Sequence, residues 1–205
     1  MSETTIKRYN QRAEKYEQRW VKYLEHTHHK LLEHLETTPE DIILDASGGT
    51  GLLLQKMIAQ DLPFTQFVVN DPSDNMLNIA RQRFQSHPGV EFNNEKVQQL
   101  SYPKNYFDKI VCLNAFHFYR DQQQVLDHFY NILKSDGQLY ILDWNRKGLF
   151  KFVNQLLDWT SSEFIDTRSF TEMKELLIKS NFMIKTSKQW NWRYWKFFLI
   201  KAEKD

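Results

Sequence analysis

Hydrophobic positions along the chain follow two rhythms. Over residues 5–36, Tyr9, Tyr16, Trp20, Leu24, Leu31, Leu32 and Leu35 recur among charges at roughly helical spacing, as far as Thr37-Thr38-Pro39. A 3.6-residue period gathers such positions on one face, so this stretch predicts one broken helix or two short ones. From residue 41 the pattern becomes short apolar runs separated by amphipathic stretches: Ile42-Ile43-Leu44, Phe67-Val68-Val69, Val90-Glu91-Phe92, Ile110-Val111-Cys112-Leu113 and Leu139-Tyr140-Ile141-Leu142. Strands covered on both faces read as continuous apolar runs, and parallel neighbours need crossover helices. The pattern therefore predicts an α/β chain with a parallel sheet and helices near 50–60, 73–85 and 121–134, the last two capped by Ser73 and Asp121.

After Asp143 the alternation stops, and Phe150, Val153, Leu156, Leu157 and Phe164 fall at helical spacing, as in an inserted lid. Ser169 and Glu172 have the spacing of a capping box for a helix over Met173–Lys179, and Asn181 suits a left-handed stop. Two strands then finish the chain. The last, Tyr194–Ile200, is apolar on both parities except at Lys196, which puts it inside the sheet. The expected organisation is one domain, 1–205: a helical cap (1–36), a core (41–143), a helical lid (144–168), and a last helix with C-terminal strands (169–205). Both covers are expected to close over a ligand. A chain of 205 residues, 41% hydrophobic, has material for one substantial core.

Charge and cysteine content narrow the partners. Twenty-seven basic against 26 acidic residues leave +1, no general pull toward nucleic acid or acidic lipid. No run of ~18 apolar residues suggests a membrane span, and the N-terminus lacks the apolar run of a signal peptide. The lone Cys112 allows no internal disulfide and reads as core. The expectation is a cytoplasmic monomer or homodimer with a small-molecule partner, no nucleic acid and no membrane.

Chemistry concentrates in Ile42-Ile43-Leu44-Asp45-Ala46-Ser47-Gly48-Gly49-Thr50-Gly51: an apolar strand, an acid at its end, and a glycine-rich turn into a helix. Such a turn lets the backbone approach a ligand closely. Twenty residues on, Asp71 ends the next strand, where an acid can accept both hydroxyls of a ribose. A nucleoside-bearing cofactor is implied. A G-x-G-x-x-G pattern started at Ser47 or Gly49 would need its third glycine at Leu52 or Leu54, so the dinucleotide motif fails, and no Gly-Lys-Ser/Thr completes a P-loop.

These residues resemble the first motif of class I S-adenosylmethionine-dependent methyltransferases, usually L-D-x-G-x-G-T-G, of the small-molecule, type 11-like kind. Asn70–Leu77 resembles the family's second-strand segment, Tyr106–Val111 the start of its fourth strand, and Leu133–Leu139 its L-K-P-G-G-x-L turn. The resemblance implies a Rossmann-like seven-stranded sheet, order 3-2-1-4-5-7-6, with strand seven antiparallel and helices on both faces. It implies S-adenosylmethionine as cofactor. Ser47, Gly48, Gly49 and Gly51 would border its methionine portion, Asp45 would organise the amino group, Asp71 would hold the ribose, and Pro72 and Met76 would flank the adenine. Asn114 would offer its backbone carbonyl to the ammonium, and Tyr16 would close from the N-terminal helix. Two positions depart from the pattern. Ser47 replaces a glycine, at about 1 to 2 kcal/mol if the turn demands positive φ. Lys96, with Val97 after it, stands where the family often has an adenine-binding aspartate; Glu95 is the one-residue-shifted alternative.

Other groupings have simpler readings. His26, His28, His29 and His34 read as a solvated helix surface, and no metal site is expected. His117, beyond strand four, is a candidate general base, although an activated sulfonium needs little help from a base, so most activity is expected to survive its loss. Trp190, Trp192, Tyr194, Trp195, Phe197 and Phe198, with Arg193 and Lys196 interleaved, could form a stacking platform for bases, but a strand buried on both faces explains most of them. Trp144, Phe150, Phe152, Trp159 and Phe164 follow strand five, on the substrate side, where they would suit a flat apolar or aromatic acceptor. Cys112-Leu113-Asn114-Ala115-Phe116 lacks the proline segment of amide- or adenine-nitrogen methylating enzymes.

Overall fold

A computed structural model describes residues 1–146 and 164–205. The N-terminal segment is one helix, α1 (Glu3–Leu32), rather than the broken or paired helices its spacing predicts. Residues 3–32 contain no glycine or proline to break it, and the Ser2 hydroxyl caps it by accepting from the Thr5 N–H at 3.2 Å.

Seven strands form a single sheet among the described residues: β1 (Ile42–Asp45), β2 (Gln66–Asn70), β3 (Val90–Asn93), β4 (Phe107–Leu113), β5 (Leu133–Trp144), β6 (Phe182–Trp192) and β7 (Trp195–Lys204). Their order is β3-β2-β1-β4-β5-β7-β6. The strands from β3 to β5 pair in parallel, and β7 runs antiparallel to both β5 and β6, as the family resemblance implies. Strand order reverses between β1 and β4, which opens a crevice beyond their C-terminal ends.

Among the described residues four further helices cover the sheet: α2 (Leu52–Ile58), α3 (Asp74–Phe84), α4 (Gln122–Ile132) and α5 (Phe170–Lys179). Ser73 and Asp121 cap α3 and α4, Ser169 and Glu172 form the capping box of α5, and Asn181 follows α5 at φ +64°. One apolar layer packs Leu24 and Leu31 of α1, Leu54 of α2 and Leu77 of α3 on one face; the other packs Phe129 of α4 and Leu177 of α5 on the opposite face. Phe197 and Leu199 of β7 belong to the first layer and Phe198 and Ile200 to the second, as expected of an interior strand. Tyr194, however, falls in the β6–β7 turn and is 71% exposed, because the reversal into the strand is made there.

Strand β5 starts six residues before the apolar run that signals it, directly after α4. A register shift between Phe107 and Lys109 of β4 leaves residues 134–137 without register partners in β4, with Phe107 opposite Leu133 and Lys109 opposite Gln138. No helix among the described residues is long and apolar enough to cross a membrane. Phe150, Phe152, Val153, Leu156, Leu157 and Trp159, with most of the expected lid, lie outside the described residues.

Candidate active site

The glycine turn after β1 borders an inner chamber roofed by α1. Gly49 takes φ +55° and faces that chamber, and its N–H donates to Asp71 Oδ2 at 3.0 Å. The Ser73 N–H donates to Oδ1 at 2.8 Å, so Asp71 is fixed by one donor on each oxygen and keeps a lone pair on each for a ligand. Gly51, at φ +76°, acts differently: a Cβ there would lie 2.9 Å from Phe84 Cε2, so this glycine seats the turn against α3 and does not line the chamber. Ser47 is not among the positive-φ residues, so the strain considered for it does not arise. Its hydroxyl lies 2.8 Å from Tyr119 Oη.

Two buried acids face the chamber. Burial, then the neighbouring Asp71 charge, raises the Asp45 carboxyl to about 8; burial, opposed by the Ser73 and Gly49 N–H groups, raises Asp71 to about 6. A folded-state acid raised in this way binds its proton more tightly than the unfolded chain does. The Asp45 contribution to stability is therefore full below about pH 4 and is lost as pH rises through about 8. The acids, the close backbone of the turn and Met76 make a donor and acceptor set that fits a cationic nucleoside.

Helix α1 closes the chamber with side chains that sequence reading placed elsewhere. His28 lines it, buried rather than solvated: its Nδ1–H donates to the Leu24 carbonyl at 2.7 Å, and burial lowers its pKa to about 4, leaving a neutral ring. His26 is covered too, stacked on Trp192 at 4.7 Å and accepting from Trp190 Nε1 at 2.8 Å. The first half of α1 is held by polar contacts. Glu17 accepts from Thr50 Oγ1 and from Arg83 at 2.8 Å, and Asn10 Oδ1 accepts from Ser73 Oγ at 2.7 Å and the Asn75 N–H at 3.0 Å. The second half is anchored by buried Leu24 and Leu31.

The chamber has a free volume of about 60 Å³, room for about two waters and well short of the roughly 300–1,000 Å³ of ligand pockets. A nucleoside ligand therefore requires the polar-latched half of α1 to shift and settle again. Amides of residues 3–20 are expected to exchange hydrogen more slowly when S-adenosylhomocysteine is added, with little change over residues 23–32. Unchanged exchange at saturating ligand would remove α1 as a cover.

Of the sequence-derived cofactor residues, Tyr16, Asp45, Ser47, Gly48, Gly49, Asp71, Met76 and Asn114 line the chamber. Gly51, Pro72, Lys96 and Val97 do not. Lys96 is paired with Glu3 of α1, and Val97 is buried in the core of the opposite face. Glu95 is committed to Asn93 Nδ2 and the Ser101 N–H, both at 3.0 Å. Sequence reading missed Tyr9, His28, Thr50 and Phe118.

Asn114, at φ +56°, joins three elements. Its Oδ1 accepts from Tyr23 Oη at 2.8 Å, its Nδ2 donates to Thr27 Oγ1 at 2.9 Å, and Tyr23 Oη accepts from Trp144 Nε1 at 2.8 Å. The network leads into an outer chamber of about 120 Å³, which shares Tyr9, Tyr16, Asn114 and Phe118 with the inner one and adds Arg12, Trp20, Tyr23, His117, Trp144, Ile165 and Trp195. Trp195, expected in the core, stacks on Trp144 at 4.9 Å, and Trp144 stacks on His117 at 4.1 Å.

His117 is 2% exposed, and its Nδ1 lies 2.6 Å from Asp143 Oδ1. A carboxylate accepts, so Nδ1 carries the proton and Nε2 presents a lone pair. Asp143 Oδ2 also accepts the His117 N–H at 3.0 Å, and the Trp144 N–H donates to Oδ1 at 2.6 Å, which fixes the carboxylate. Nε2 has no partner among the described residues. An orphaned buried acceptor costs about 1 to 3 kcal/mol.

Two chambers at the C-terminal ends of β1 and β4, with these motifs in order, are the arrangement that the resemblance to class I S-adenosylmethionine-dependent methyltransferases implies. Residues 44–139 match the family model for a methyltransferase domain. The chain is 28% identical over 138 residues to the ubiquinone/menaquinone biosynthesis C-methyltransferase UbiE of Ectopseudomonas mendocina, covering 66% of this chain and 50% of that protein. It thus spans about half the length of the curated relatives it matches. Among solved structures, a chain from the complex between the Haloferax volcanii Trm112 methyltransferase activator and its candidate methyltransferase aligns with a TM-score of 0.81 at 15% identity, covering 96% of this chain and 97% of that one. A Thermotoga maritima S-adenosylmethionine-dependent methyltransferase, described as a possible histamine N-methyltransferase, aligns at 0.73 with 20% identity, covering 96% and 98%.

Proposed function

We propose that this protein transfers a methyl group from S-adenosylmethionine to a small, flat, aromatic acceptor by direct displacement. The observation that carries this reading is the pair of joined chambers, one bearing two buried acids and the other an aromatic box with the unpartnered Nε2 of His117. S-adenosylmethionine, when bound, supplies an electrophilic methyl. Asp45 and the Asn114 carbonyl would hold the amino-acid end, Asp71 the ribose, and Met76 the adenine side.

In the outer chamber, stacking between Trp144 and neighbouring rings would orient a planar acceptor, and the closed α1 would exclude water. His117 Nε2 would take the proton that the acceptor loses, with Asp143 stabilising the imidazolium. Such a base suits a phenolic hydroxyl or an acidic ring carbon, and the C-methyltransferase relatives favour a quinone-like ring carbon. A small acceptor, no nucleic-acid partner and a cytoplasmic place belong to the same proposal.

Calorimetry tests the cofactor half. S-adenosylhomocysteine is expected to bind and NADH is not. At pH 7 the free protein holds Asp45 largely protonated, and a ligand ammonium beside it favours the ionised form, so binding releases up to one proton. Heats measured in phosphate and Tris should differ accordingly, and Asp45→Asn should erase the difference. Equal heats in both buffers would take Asp45 away from the ammonium. Transfer of labelled methyl to a panel of phenols and quinols tests the acceptor half; binding without transfer to any of them would favour a non-catalytic role for the fold.

A further inference from the structure

The outer chamber opens onto the surface. Trp20, Tyr23 and Trp195 line it from one side and, from the other, line a groove between α1 and the β6–β7 turn, together with Arg19, Lys22, Trp192, Arg193 and Tyr194. The groove is aromatic yet exposed: Tyr194 is 71% accessible. Its charges are all of one sign. Arg19, Lys22 and Arg193 border it, no acid does, and among the described residues none of the three is ion-paired. In a chain with 27 basic and 26 acidic residues, this is a local asymmetry and not a general one.

The two arginines are also pre-arranged. The Arg19 guanidinium lies 5.8 Å from the Trp20 ring centroid, and that of Arg193 lies 4.8 Å from Trp192. A guanidinium resting on an indole loses rotational freedom, and its edge N–H groups stay available to a carboxylate or phosphate, which they bind in pairs.

We infer that this groove is a second subsite for the methyl acceptor and takes an anionic group, carboxylate or phosphate, carried on a spacer from the ring in the outer chamber. The inference rests on the outer chamber being the acceptor site. It sets the acceptor class as an amphiphile: a flat apolar body that reaches His117, and an acidic end held at the surface by Arg19 and Arg193, with Lys22 adding to the local field.

Two matched probes test it, 6-(2-naphthyloxy)hexanoic acid and 6-(2-naphthyloxy)hexanol, titrated against tryptophan fluorescence with S-adenosylhomocysteine present. The acid is expected to bind at least about tenfold more tightly at low salt, and its advantage should shrink as ionic strength rises. In the double variant Arg19→Gln with Arg193→Gln, the affinity ratio should fall to about one. Equal binding of acid and alcohol to the unaltered protein overturns the anionic subsite alone, as does a preference that survives the double substitution. Should neither probe bind while S-adenosylhomocysteine does, the outer chamber itself is misassigned and the acceptor half of the proposed function falls with it. Retention on phosphatidylglycerol vesicles or an oligo-dT strand that is lost in the double variant, with the two probes bound equally, assigns the cations to a macromolecular surface and also overturns the subsite.

Discussion

His117→Asn is expected to lower turnover by about 100- to 10,000-fold while leaving S-adenosylhomocysteine affinity within about twofold, once an acceptor is in hand. The size of the effect follows from the dyad. Asp143 accepts the Nδ1–H and two backbone N–H groups, so the imidazole is held in one tautomer, with its only lone pair on Nε2. Asparagine keeps polarity and approximate size but removes the base. Asp143→Asn should lower turnover as well, because an amide no longer favours the imidazolium, and circular dichroism would confirm that the backbone bonds still form. Unchanged S-adenosylhomocysteine affinity alongside the lost turnover separates base from scaffold. Turnover within tenfold of the unaltered enzyme would remove His117 as base and restore the simpler view that the sulfonium needs none. The acceptor would then be an amine or a hydroxyl already ionised in solution.

Asp71→Asn is expected to weaken S-adenosylhomocysteine binding by at least tenfold, the equivalent of about 1.4 kcal/mol. Two hydrogen bonds to a carboxylate contribute roughly 1.5 to 3 kcal/mol each, so a loss of a hundredfold or more is within reach. Asparagine is a better test than alanine because Asp71 also accepts from Gly49 and Ser73, and losing both contacts would loosen the turn itself. The pH dependence has a definite sign. With its pKa raised to about 6, Asp71 is ionised at neutral pH, and affinity should fall as pH drops through that value. Asp71→Asn should flatten this limb. Unchanged affinity in a folded variant would place the ribose elsewhere.

Sequence alone determined the parts of this protein that are written by neighbours in the chain. Apolar runs marked the interior strands β1, β2, β4, β5 and β7, since these are buried on both faces, whereas the edge strand β3 keeps Glu91 exposed. Ser73, Asp121, Ser169 with Glu172, and Asn181 marked helix ends, because caps and stops are satisfied within three or four residues. The glycine turn and the acids after β1 and β2 located the inner chamber, for the same local reason. Length misled in one place: uneven spacing over residues 5–36 read as a break, yet nothing in the chain interrupts α1, and the unevenness reflects a helix that roofs a chamber and packs on a core by turns.

Tertiary structure decided the rest. Tyr23 and Asn114 are 91 positions apart, Tyr23 and Trp144 121, and His117 and Asp143 26, so no local signal joins them. His28 looks like one of four surface histidines until α1 is laid across the sheet, and Trp195 looks like core until the β6–β7 turn carries it beside Trp144. A side chain's neighbours in the chain set its backbone conformation, but its burial, partners and proton affinity depend on what the fold brings against it, and in this protein the candidate catalytic chemistry depends on those.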